Sequence, residues 1–202
     1  MNEIKEFIFK LTEFESIEIT PSNKIDFENM YLCTNLEILL KSKDQLLIGK
    51  ESLGESFRSF ISHLTKAINC ELQLHESLTE NLGFIYNEYF DDVPKSMMEV
   101  DANDSKSSWV IYNYQMWSAI DDANFRTATW LYNDHNGNII LTVTKTYPWF
   151  YIKDGDVERP DFIYYEDFIR DYKPLFTHII PKERAMQWLD QANLILNSVK
   201  KR

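Results

Sequence analysis

The chain has 202 residues, 44% of them hydrophobic and 26% charged, with six prolines and five glycines. That composition excludes collagen, low-complexity disorder and a disulfide scaffold, and a chain of this length buries roughly 70% of the surface its unfolded form exposes, enough for a core without metal or disulfide staples. Thirty-two acidic against 21 basic side chains leave a net charge of −11, which repels nucleic-acid phosphate and anionic lipid and argues against either as a partner.

The alternation of Ile4, Glu6, Ile8 and Lys10 with Lys5, Phe7 and Phe9 predicts a first strand over residues 4–10. A second strand is expected over Met30 to Leu40, with Gln45 to Ile48 returning as its hairpin partner. Ser52 and Glu55 have the spacing of a capping box, in which hydroxyl and carboxylate satisfy orphan donors at a helix start. Behind them Leu53, Phe57, Phe60, Ile61, Leu64, Ile68 and Leu72 recur at three and four residues, predicting one long helix that covers the N-terminal sheet.

From Glu71 to Asp104 the periodicity loosens, and nine acids face a single base, Lys95. The small, polar stretch 101–108 marks a surface loop and a candidate division between two halves of one domain spanning 1–202. Beyond it, Trp109 to Trp117, Phe125 to Tyr132 and Ile139 to Thr146 read as strands of a meander. Asn136-Gly137 sits between the last two, and that dipeptide readily takes the positive φ angles of a tight hairpin. Asp154-Gly155-Asp156 reads as a turn in a long loop. Tyr165 to Tyr172 predicts a short helix ending before Pro174. Pro181 then suits the first turn of a final helix with a stripe of Ala185, Trp188, Leu189, Ala192, Ile195, Leu196 and Val199, and with Lys200, Lys201 and Arg202 at its C-terminal end. The fold class is therefore α+β: antiparallel sheet in two parts, one long helix in the N-terminal half and two C-terminal helices.

Cys33 and Cys70 lie in apolar runs at no zinc or redox spacing and read as reduced core residues. The N-terminus lacks the basic start and apolar stretch of a secretion signal, and every apolar run falls short of the roughly 20 residues that cross a bilayer. The expected compartment is the cytoplasm, with no membrane association.

Catalytic patterns are sparse. The histidines at 63, 75, 135 and 178 have no ligand at helical i, i+4 spacing, and no phosphate loop, nucleophile elbow or dinucleotide fingerprint occurs. Asp134-His135-Asn136-Gly137-Asn138 departs from a calcium loop at its first and last ligand positions, Tyr132 and Val143, and is better read as a turn. No metal or cofactor is implied. Asp91-Asp92, Asp121-Asp122 and Glu166-Asp167 could supply an acid and base pair, although solvated surface charge explains them as well. More distinctive is the mixture of rings and acids, in which Phe84, Tyr86, Tyr89 and Phe90 interleave with Glu88, Asp91 and Asp92. Later, Tyr147, Trp149, Phe150 and Tyr151 precede Asp154, Asp156, Glu158 and Asp161. Rings of this kind belong either to the core or to a recognition surface on which they anchor a basic partner steered in by carboxylates.

The stretches Trp130-Leu131-Tyr132, Asn136 to Thr144 and Tyr147-Pro148, followed by Tyr165 to Ile169, Tyr172-Lys173-Pro174 and Trp188-Leu189, cover about the last 75 residues. Together they resemble small bacterial proteins of the immunity type found in polymorphic-toxin and contact-dependent inhibition systems. The resemblance implies a non-enzymatic protein that binds a cognate toxin domain and occludes its active or substrate-binding surface. Many such toxins are nucleases with basic clefts. The class carries no catalytic residues, so the expected interface comes from charge and ring content: Glu88, Asp91, Asp92, Glu99, Asp101 and Asp104 as steering charges, Tyr89 and Phe90 as anchors. The rival expectation is a small carboxylate-dependent hydrolase using acids or a histidine of the same region.

Overall fold

The computed structural model describes residues 6–23, 30–75, 78, 81–92, 111–120, 126–147 and 163–199, with the side chains of 89–92 left out. The expected turn at 154–156, the division at 101–108 and the basic C-terminal tail lie outside these residues. Within them the fold is α+β, with two four-stranded antiparallel sheets and four helices.

The first sheet is a meander of β1 (Phe7–Lys10), β2 (Ser16–Pro21), β3 (Asn35–Lys41) and β4 (Gln45–Ser52). Period-two alternation sends Phe7, Phe9, Ile17, Ile19, Leu36, Ile38 and Leu40 inward. On the outer face Glu18 pairs with Lys41 and Glu37 with Lys50 across neighbouring strands. Two sequence expectations need correction here. β2 was not anticipated, and β3 starts at Asn35, not Met30. The Thr34 N–H bonds the Tyr31 carbonyl (2.9 Å) and the Thr34 hydroxyl accepts the Tyr31 N–H (2.9 Å), turning the chain before the strand begins.

Helix α1 (Leu53–Ile68) follows β4 without a loop. Its Ser52 cap accepts the Glu55 N–H at 3.3 Å and donates to the Glu55 carboxylate at 2.9 Å, which starts the helix where the spacing predicted. The helix stops at Ile68 and does not continue to Leu72, because Cys70 adopts a left-handed φ of 58°. Cys33 and Cys70 are both exposed free thiols, which corrects their expected place in the core. Each occupies a turn where the backbone reverses and the neighbouring apolar side chains take the interior.

The second sheet contains β5 (Gln115–Ile120), β6 (Arg126–Asn133), β7 (Ile139–Thr146) and β8 (Phe176–Ile180) in that order. Gly137 takes φ +81° in the β6–β7 turn, as Asn136-Gly137 predicted. The expected strand at Trp109 instead opens as a helical turn at 111–112, and β5 begins at Gln115. β8 was not anticipated. Two helices flank it: α3 (Tyr165–Arg170) and α4 (Lys182–Ser198), the latter burying Ala185, Trp188, Ala192 and Ile195.

Between the two sheets lies α1. Phe60 meets Phe9 at 5.0 Å on one side, Trp117 at 4.9 Å on the other, and Trp188 of α4 at 6.0 Å. On the far face of the second sheet sits α2 (Leu82–Asp92), a helix the loosened periodicity concealed. Covered on both faces, β6 and β7 are buried almost throughout.

Three of the outer strand edges are met by side chains. The carbonyls of Lys10 and Leu11 accept from Arg184 (2.7 and 3.1 Å) and that of Ile8 from Gln191 (3.2 Å), which closes β1. The β4 carbonyls of Leu47 and Ile48 accept from Thr127 (2.8 Å) and Thr129 (3.1 Å). On β5 the Met116 carbonyl accepts from Ser59 at 2.6 Å. Such contacts satisfy groups that would otherwise template another strand.

Candidate functional site

A groove of about 770 Å³ wraps the outer edge of β5, running between the start of α1 and the side of α2. Its charged lining comes from the β4–α1 junction: Glu51 ends the strand, Glu55 lies in the first helical turn and Arg58 follows three residues later. Arg126 of β6 stands opposite Ile120, at the far end of β5. Tyr86 of α2 and Tyr112 form an aromatic wall, with rings edge to face at 6.0 Å and hydroxyl oxygens 3.5 Å apart. Tyr86 in turn packs on Trp130 at 5.5 Å.

Burial pushes the Glu51 carboxyl up, and the nearby Glu55 charge pushes it further; the facing Ser118 backbone N–H offsets this in part. No cation contributes to holding Glu51 charged, and the Arg58 guanidinium lies over Gly54. A carboxyl that keeps its proton beside one that loses it is the arrangement general acid–base chemistry requires. The same pair can also act as a hydrogen-bonding and electrostatic patch for a macromolecule.

The groove's second wall is held rigidly. At Gly83, α2 comes so close to β7 that a Cβ would overlap the Thr144 Oγ1 and the Tyr172 hydroxyl. One turn on, the fully buried Asn87 donates to the Gly83 carbonyl (2.7 Å), the Lys145 carbonyl (3.1 Å) and the Tyr172 hydroxyl (3.1 Å). It also accepts the Tyr147 N–H at 2.7 Å. Burial holds the Tyr172 hydroxyl firmly protonated, so its donation to the Lys145 carbonyl persists.

Of the residues expected at an interface, Glu88 is exposed on α2. Tyr89, Phe90, Asp91 and Asp92 form the helix's last turn, while Glu99, Asp101 and Asp104 lie outside the described residues. No base accompanies the acids in that last turn, where the helix dipole already presents partial negative charge.

The other candidate acids and histidines do not converge on the groove's carboxylates. Glu166 and Asp167 sit exposed in the first turn of α3, where negative charge suits the dipole, and Asp167 pairs with Arg170 at 2.6 Å; Asp121-Asp122 lies outside the described residues. Burial lowers the His63 imidazole's pKa despite carbonyls of Ser59 and Asn113 that favour its charged form. His75 lies beyond α1, contrary to its expected place on that helix, and its backbone N–H bonds the Tyr114 hydroxyl at 3.3 Å. His178 faces Glu15 at 3.9 Å. Asp134 accepts the Asn138 side chain (2.8 Å) and the N–H groups of Asn138 (2.8 Å) and Asn136 (2.9 Å), bonds that hold its carboxyl below the usual range and make the segment a turn. Among the described residues, no group of three His, Cys, Asp or Glu is placed to hold a metal ion, and no helix is long and apolar enough to cross a membrane.

Sequence reasoning located Glu55 as a cap but missed its pairing with Glu51. The signal was available, since a strand ending at Ser52 followed directly by a helix brings residues 51 and 55 to the same corner. No family model matches the chain, and neither a curated protein nor a solved structure matches it.

Proposed function

We propose that this chain is an immunity-type protein that binds a basic toxin domain in the cytoplasm of a bacterial cell and occludes its active or substrate-binding surface. One observation carries the reading: α2 ends in Glu88, Asp91 and Asp92 without a compensating base, on a helix pinned by Gly83 and Asn87. Acids at a helix C-terminus cost about 0.3–1 kcal/mol each, so this placement opposes the helix's own stability and is relieved by an approaching cation. Pinning the helix removes ordering entropy from association. Tyr89 and Phe90 on the same turn are the anchors, and Glu99, Asp101 and Asp104 extend the charge along the chain.

The test is stopped-flow association and isothermal titration with the toxin domain encoded beside this gene, together with growth protection against that toxin. Replacing Glu88, Asp91 and Asp92 by Gln, Asn and Asn is expected to slow association about tenfold or more at low salt and flatten its salt dependence, with dissociation changed little. Absence of binding and of protection overturns the reading.

A second reading, a carboxylate-dependent hydrolase, is favoured by the Glu51–Glu55 pair in its open groove. It requires hydrolysis of an ester or glycoside substrate that is lost in both Glu51→Gln and Glu55→Gln.

A further inference from the structure

We infer that β8 is the interface of a homodimer, pairing antiparallel with β8 of a second copy about a two-fold axis at His178. This rests on the strand edges and is independent of the function proposed above. Side chains of α4, β6 and α1 bond the outer edges of β1, β4 and β5. Among the described residues, nothing is hydrogen-bonded to the outer edge of β8. In an edge strand the N–H and C=O groups of alternate residues point outward and seek partners. β8 reads Phe-Thr-His-Ile-Ile, with no Pro, Lys, Arg or acid to blunt it, and its Ile179 is 57% exposed.

The ends of the strand select the occupant. A two-fold axis at His178 sets Thr177 opposite Ile179 of the second copy, covering that exposed side chain in two symmetric cross-strand pairs. The same symmetry brings Lys173, five residues before the axis, toward Glu183 of the second copy, five residues after it. Both side chains are exposed and neither has an ion-pair partner within its own chain. The local charge also permits approach, since Asp171 and Glu183 stand against Lys173, Lys182 and Arg184 here, and the acid excess lies in 71–104. A five-residue pairing is small beside standard interfaces, so the dimer is expected to be reversible, with a dissociation constant on the order of micromolar.

Sedimentation velocity over a concentration series, run on the intact chain, tests this. The wild type should shift reversibly from monomer to dimer. Ile179→Lys, on an exposed site and with the fold checked by circular dichroism, should weaken the dimer about tenfold or more. Lys173→Glu alone should weaken it several-fold, and the swap Lys173→Glu with Glu183→Lys should restore it. A monomeric mass up to the solubility limit, a dimer that Ile179→Lys leaves intact, or a charge swap that fails to restore association overturns the proposal.

Discussion

Glu51 sits where the fold offers an anion little help, with burial and the Glu55 charge both favouring its protonated form. Because its folded pKa lies above the ordinary carboxylate value, the stability it contributes is complete below that value and is lost as pH rises through the folded one. At neutral pH the charged Glu51 therefore works against folding. Glu51→Gln keeps an acceptor for the Ser118 N–H while removing the charge. It should raise the melting temperature at pH 7, and the gain over wild type should vanish as pH falls below the carboxylate range. Thermal melts of both proteins between pH 3 and pH 8, a window set by ordinary carboxylate titration, check this; a gain of the same size at every pH would show that the charge is not its source.

At the scale of elements, α2 depends on polar and small residues where other helices of this fold use apolar ones. Asn87→Ala removes the acceptor for the Tyr147 N–H and three donor contacts that tie α2 to β7 and the end of α3. Leaving such buried groups unpaired should cost about 2 kcal/mol, measured as a lower urea midpoint at unchanged slope. This dependence also explains what could be read beforehand. β7 was legible over Ile139–Thr146 because strand residues, an Asn-Gly turn and a length of eight all agree. The α4 stripe was legible because Ala185, Trp188, Ala192 and Ile195 follow one helical face. α2 was not, because Gly83 and Asn87 occupy buried positions that a hydrophobic pattern scores as breaks. β8 was hidden by its five-residue length after Pro174, and β2 by the brevity of its Ile17, Ile19 alternation. The groove was the least legible feature, since it joins residues 51–59, 86, 112–120 and 126–127 that only tertiary packing assembles.

For the whole molecule, the decisive contact is the aromatic cluster that gives the two sheets a common interior. Phe60 touches Phe9 of the first sheet, Trp117 of the second and Trp188 of α4, and one continuous hydrophobic cluster includes residues of both sheets. Polar bonds reinforce the junction, with Trp117 Nε1 donating to the Ser56 carbonyl at 3.1 Å and Asn133 to the Ala67 carbonyl at 2.9 Å. Sheets that share α1 cannot lose it separately, so unfolding should occur in one transition, with tryptophan fluorescence and far-ultraviolet circular dichroism superimposing in urea. Phe60→Ala should cost about 3–5 kcal/mol, a large fraction of the ~5–15 kcal/mol typical of a folded domain, and should lower both signals together. If the first sheet's interior were independent, the tryptophans, none of which lies in that sheet, would keep their native fluorescence while circular dichroism recorded an earlier loss. Separated midpoints in wild type or in Phe60→Ala would therefore place the boundary between the sheets and refute a shared core.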